Sequence, residues 1–171
     1  MTEQIDTLLS LAEVAVALAG FSAIVVVLKR GASGQWSASD ADQFHGMIIH
    51  AIAAVVFCLL PMIVDVIVQD PAATLRLCCA VLGVQVILHA VGVMSFSTTG
   101  PWARLSLSVG LVIGFAQFAA FTDWAATREF ALYVLGIVWH ILQAGLLFVM
   151  LVWIPRRAIA PTPPETGPPA E

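Results

Sequence analysis

Residues 44–68 read FHGMIIHAIAAVVFCLLPMIVDVIV, and the only formally charged side chain among them is Asp65. About 20 apolar residues in a helix, rising about 1.5 Å each, cross the hydrocarbon of a bilayer. This stretch meets that length with residues to spare. Four further segments share its character, at 8–28, 72–96, 103–121 and 130–153, the fourth of the five being the shortest. The expected fold is all-α: a polytopic integral membrane bundle of about five transmembrane helices within residues 1–157.

Composition agrees. Of 171 residues, 60% are hydrophobic and 11% charged, with a mean hydropathy of +0.97. Soluble domains run nearer about 45–50% apolar and about 25% charged. A chain this short leaves much of its surface exposed when folded alone, so lipid must cover the excess.

The connections carry helix signals. Ser39 stands three before Asp42, an acidic variant of the capping pattern. Asp70-Pro71 and Gly100-Pro101 place proline at a first helical position, where its missing N–H costs little. Thr127 and Glu129 open the fifth segment with a charge that suits the helix dipole. The later loops are short, so consecutive helices are expected to be antiparallel neighbours. The loop 31–43 is longer and polar. The proline-rich stretch 158–171 is expected to be a disordered cytoplasmic tail.

Lysine and arginine set the orientation. With the N-terminus outside and the C-terminus inside, Lys29, Arg30, Arg104, Arg156 and Arg157 fall in the cytoplasm, and Arg76 and Arg128 outside. Trp102 and Trp153 then mark the inner interface and Trp124 the outer one, with Trp36 in the first loop. The start of the chain carries Glu3 and Asp6 rather than a basic n-region. It therefore reads as a retained helix and not a signal peptide. The expected location is a membrane crossed several times, of bacterial inner-membrane type.

Several function classes find no support. A net charge of −4 without a basic run argues against nucleic-acid binding. Cys58, Cys78 and Cys79 fall inside apolar runs, where cysteine packs as a small hydrophobe. No phosphate loop, nucleophile motif, Cys-x-x-Cys, arginine-laddered helix or potassium filter is present. A membrane enzyme is the least expected class.

The polar residues inside the apolar segments carry the functional signal, because such groups are costly in hydrocarbon and usually face the bundle interior. Asp6, Ser10, Glu13, Ala17 and Gly20 recur at spacings of three and four and form one stripe, expected to face another helix. Glu13 reads either as a cation or proton site or as a structural carboxyl bonded to a neighbour.

His50 shares a stripe with Gly46, Ala54 and Cys58; His89 with Gln85 and Gly92; His140 with Gly136, Gln143 and Ala144. Counted from the expected helix ends, His50 and His89 lie about 9–10 Å deep from the inner side and are expected to meet. His140 falls near mid-membrane, and His45 at the inner edge. Two such histidines are also an arrangement that ligates a b-type haem or joins a metal site. The alternative is hydrogen bonding to Gln85 and Gln143, which ties membrane helices together.

Asp65 contributes to an acidic outer end, read either as a cation-concentrating ring or as solvated charge. Pro61 is expected to kink the second helix. Ser106, Gly110 and Gly114, followed by Gln117, form a small-residue ladder suited to close helix contact.

Three readings follow. The leading one is a homo-oligomeric channel or transport protein for a small cation or proton, with Glu13, His50, Asp65, Gln85, His89, Gln117, His140 and Gln143 as pathway or buried polar candidates. The second is an accessory membrane subunit without chemistry of its own, bound to a larger partner. The third is a b-type haem electron carrier, haem being the one cofactor kept open.

Overall fold

A computed structural model describes residues 2–33, 38–96, 101–122 and 128–153. Trp36, Gly100, Trp124, Thr127, Arg156, Arg157 and the stretch 158–171 lie outside them, as do the expectations attached to those residues. Among the described residues there are five long helices: α1 (Thr2–Ser33), α2 (Ala38–Val68), α3 (Pro71–Phe96), α4 (Pro101–Gln117) and α5 (Glu129–Trp153). Each carries a segment apolar and long enough to cross a membrane. The protein is a multi-pass, all-helical membrane protein.

Several helices outrun the apolar segments that announce them. α1 and α2 begin six residues earlier than hydropathy alone places them, because a helix continues into polar residues at its ends without a change of backbone. The shortest span behaves differently. Its α-helix has 17 residues, about 26 Å at the usual rise. It then tightens into a 3-10 turn, Phe118–Phe121, whose greater rise of about 2.0 Å per residue stretches it further. The two together match a hydrocarbon core about 30 Å thick.

The α2–α3 connection shows how local sequence sets a boundary. Gln69 adopts a positive φ of 55°, and its N–H bonds the Asp65 carbonyl at 2.9 Å, closing α2. Asp70 Oδ1 then accepts from the Ala72 N–H at 3.0 Å and the Ala73 N–H at 3.4 Å. This is an N-cap, with Pro71 at the first helical position as the sequence requires.

The helices are arranged as an arc, α1–α2–α3–α4, with α5 packed inside it and in contact with all four. Two apolar clusters fill the interior. One includes Leu8, Ala54, Phe57, Cys58, Cys78, Cys79, Leu82, Tyr133 and Ile137 and lies toward the end where α1, α3 and α5 start. The other, Met47, Ala51, Ala144 and Leu151, lies toward the opposite end. For brevity these are the acidic end and the basic end, after the charges the chain places there. Large apolar side chains such as Ile67, Leu88, Val112 and Leu142 point outward, as lipid contact demands.

The expected small-residue ladder on α4 packs within the chain. A Cβ on Gly114 would lie 2.8 Å from Ile87 Cγ1 and 3.2 Å from the Gly83 carbonyl. A Cβ on Gly83 would lie 2.8 Å from the Gly114 carbonyl. The α3 and α4 backbones therefore touch at this pair, where neither can yield. Gly92, also on α3, has nothing within 4 Å. Gly83→Ala should destabilise the detergent-solubilised protein by about 1–3 kcal/mol, as overpacking does. Gly92→Ala should be neutral or slightly stabilising. Thermal melts of the two variants check this, and equal effects would contradict the packing described.

Candidate functional site

The two apolar clusters meet at a polar layer. His50 on α2, His89 and Gln85 on α3, and His140 on α5 converge there, although His50 and His140 are 90 residues apart in sequence. His50 Nδ1 lies 3.0 Å from His140 Nδ1, and His140 Nε2 lies 2.9 Å from Gln85 Oε1. The His89 ring meets the His50 ring edge to face, with centroids 4.7 Å apart. His50 is 5% exposed and His140 1%, so the bond between them is buried.

The chain of bonds has a direction. Gln85 is set with its Oε1 toward the ring, and an amide oxygen only accepts. His140 Nε2–H must therefore donate to it. A neutral His140 then has a bare Nδ1, which accepts, so His50 Nδ1–H donates to it. His50 Nε2 is left as a lone pair. It is the free end of a three-member hydrogen-bond relay, Gln85–His140–His50.

Among the described residues, a cavity reaches the layer from one side. A half-open cavity of about 310 Å³ runs from the basic end to His50 and His89, past Asp42, Gln43, Ser106 and Gln143. Gln143 Nε2 donates to Ser106 Oγ at 2.6 Å, linking α5 to α4 at its wall. Gln43 Oε1 is buried and has no hydrogen-bond partner. Deeper, a void of about 10 Å³ touches all three histidines and Trp139, roughly the space of one water. Gly110 makes room for that indole, since a Cβ there would lie 2.9 Å from Trp139.

Toward the acidic end the layer is sealed. Phe57 stacks over His140 with centroids 6.0 Å apart and planes 14° from parallel, backed by fully buried Leu82, Tyr133 and Ile137. Pro61 explains part of this seal. It has no N–H for the carbonyl four residues earlier, which belongs to Phe57. Tyr133 O–H donates to that carbonyl instead. The proline inside α2 thus frees a carbonyl that the chain's single tyrosine satisfies.

The remaining candidates divide. The expected meeting of His50 and His89 occurs. His140 joins them, because α2 begins at Ala38 and His50 therefore sits about 18 Å into its helix, deeper than the shorter span implied. Gln85 bonds a histidine as expected, but Gln143 bonds Ser106 instead.

Asp65 is at the acidic end, where it accepts from Thr74 Oγ1 at 3.4 Å beside a separate void of about 50 Å³. Gln117 is fully buried. Its Nε2 donates to the Leu132 carbonyl at 2.8 Å, while its Oε1 lacks a partner.

The stripe Asp6, Ser10, Glu13, Ala17, Gly20 does not face another helix of the chain, contrary to expectation. All five residues are exposed, because α1 packs through the opposite face, with Leu8, Ala12, Ala15 and Ser22.

Two features escape sequence reading. One is Tyr133, for which the only cue is the position four before Pro61. The other is the ion pair of Arg76 Nε with Glu129 Oε1 at 2.6 Å, which joins α3 to α5 at the acidic end.

Chemically, the layer offers imidazole nitrogens that accept, carry and release protons. Among the described residues, no group of three His, Cys, Asp or Glu side chains is placed to hold a metal ion. The three imidazoles are near one another, but the His50 and His140 nitrogens that face each other are engaged in a mutual hydrogen bond.

Two predictions follow from these bonds. In ¹⁵N-histidine-labelled protein, His140 should be the Nε2–H tautomer and His50 the Nδ1–H tautomer; the reverse assignment would overturn the relay's direction. Tyr133→Phe should cost about 1–3 kcal/mol by stranding a buried carbonyl. It should cost clearly less in a Pro61→Ala background, where the helix N–H is restored; a double-mutant cycle of unfolding free energies reads the difference.

Comparison with known proteins leaves the site to speak for itself: no family model, no curated protein and no solved structure matches the chain.

Proposed function

We propose that the protein transports protons or another small cation, and that the His50–His89–His140 cluster is where the cation is loaded. The observation that carries this reading is the position of the cluster. It forms the floor of a vestibule whose walls are mostly apolar, with Asp42, Gln43, Ser106 and Gln143 as the polar groups along it, between the two apolar clusters of the bundle.

An imidazole can take up a proton at one ring nitrogen and give one up from the other. His50 Nε2 is the acceptor at the end of the relay. Asp42 and the unpartnered Gln43 Oε1 add acceptors along the vestibule, which favours a cation over an anion. The charge bias of the sequence puts the vestibule mouth on the cytoplasmic side.

Release to the other side requires the seal to move. Phe57, held through its carbonyl by Tyr133 and lying one turn before Pro61, is the element to shift. A proline leaves α2 one backbone bond short there, so this is the least costly place for the helix to bend. If the seal stays shut, a path across the membrane must instead be completed between copies.

The haem reading would require the His50 and His89 rings, now in direct contact, to part. The accessory-subunit reading draws on the polar loop 31–43 and the proline-rich stretch 158–171 as contact surfaces rather than on the histidines.

Reconstitution of the full chain in liposomes with an internal pH dye tests the proposal. The expected result is proton or monovalent-cation flux above protein-free vesicles, reduced in His50→Gln protein that retains its helical circular dichroism. Flux no higher than in empty vesicles, from correctly folded protein, would defeat it.

A further inference from the structure

α1 presents an unusual surface to the membrane. Its packed face carries Leu8, Ala12, Ala15 and Ser22. Directly opposite lie Asp6, Ser10, Glu13, Ala17, Gly20 and Ile24, all exposed. At 3.6 residues per turn these six fall within a sector about 80° wide. Larger apolar residues border them, Leu9 and Val16 on one flank and Val14 and Phe21 on the other. Lipid-facing positions elsewhere carry side chains such as Leu88, Val112 and Leu142. The middle of the outward face of α1 is instead a lane of small and polar groups.

Glu13 is a second and independent observation. Glu13 lies within the apolar span of α1, about 8 Å along the helix from Leu8, where the charged residues of the first turns give way to apolar ones. It is exposed on the single chain, and no hydrogen bond or ion pair joins it to any described residue. Lipid tails offer a carboxyl no partner, and a second polypeptide against this face would supply one.

We propose that this lane is the contact surface between two copies of the chain, α1 against α1, related by a two-fold axis along the membrane normal. The spacing identifies the occupant. Positions 6, 10, 13, 17, 20 and 24 alternate by four and three, the seam of two parallel helices crossing at about 20°. Two copies inserted the same way bring each lane residue to the depth of its own counterpart.

Gly20 then meets Gly20 and Ala17 meets Ala17, allowing the backbones to approach. The flanks pair as well: Leu9 falls against the second copy's Val14, and Val16 against its Phe21. Glu13 falls opposite Glu13 at the same depth. Ser10, one turn away, supplies a donor. The lane is thus complementary to itself, a property that an interface for an unrelated helix would not need. This proposal goes beyond the histidine site and does not depend on it.

Cysteine cross-linking of the full chain in its native membrane tests it. Cys58, Cys78 and Cys79 are fully buried and leave a low background. Ala17→Cys is expected to give an oxidant-dependent dimer of twice the chain mass, and Val112→Cys, on the lipid face of α4, is not.

Gly20 has nothing within 4 Å in its own chain, so Gly20→Leu leaves the monomer intact. Added to Ala17→Cys, it should lower cross-linking about tenfold or more. Glu13→Gln, whose amides can still pair, should retain the dimer, and Glu13→Leu should weaken it. Three results would each overturn the proposal: no dimer from folded Ala17→Cys protein, a cross-link to a different membrane protein, or a dimer indifferent to Gly20→Leu.

Discussion

The hydrogen bond between His50 Nδ1 and His140 Nδ1 is the interaction around which the rest of this bundle is arranged. Hydrocarbon provides no substitute for a missing partner, so a histidine placed at mid-membrane must be answered by another side chain at the same depth. That requirement sets the rotation and height of α2 against α5. Gln85 answers the far side of His140 and sets the height of α3. With α5 inside the arc and touching all four other helices, the polar layer becomes the reference level for the two apolar clusters on either side of it.

The same rule operates on the backbone. Pro61 withholds an N–H, Phe57 is left with a free carbonyl, and Tyr133 fills the gap. The outcome is a cap on the histidine layer made from a ring, a carbonyl and a hydroxyl on two helices. On the opposite side the helices do not close, and the vestibule remains. The histidine layer thus has a sealed side and an open side, the asymmetry on which the proposed loading role rests.

Much of this architecture was legible in the sequence, and the physical reasons mark where legibility ended. The five spans follow from hydropathy and the start of α3 from Asp70-Pro71, because both are local properties. The meeting of His50 and His89 is read from depth below the inner helix ends, and it holds although α2 starts earlier, because each histidine lies 18 residues from its helix end at the two-residue turn that joins α2 to α3. His140 lies on a helix whose height relative to α2 no local signal sets. Hydropathy also places the start of α2 at the edge of the apolar run, whereas the helix continues beyond it. Periodicity shows which residues of α1 share a face. It does not show toward what that face turns, and so Asp6, Ser10, Glu13, Ala17 and Gly20 were expected inside and lie outside. The pair Arg76–Glu129 and the choice of Ser106 over His140 by Gln143 depend on side chains meeting across helices, which spacing within one helix does not encode.

The central claim is that the histidine layer is reached by water from the basic end and from nowhere else. Labelling of introduced cysteines by a membrane-impermeant thiol reagent, applied separately to right-side-out and inside-out vesicles, measures this directly. Ser106→Cys and Gly46→Cys line the vestibule and should react only when the basic end faces the reagent. Ile137→Cys, behind the Phe57 seal and fully buried, should react from neither side. Labelling of Ile137→Cys from the acidic end, or no labelling of Ser106→Cys from the basic end, would contradict the account.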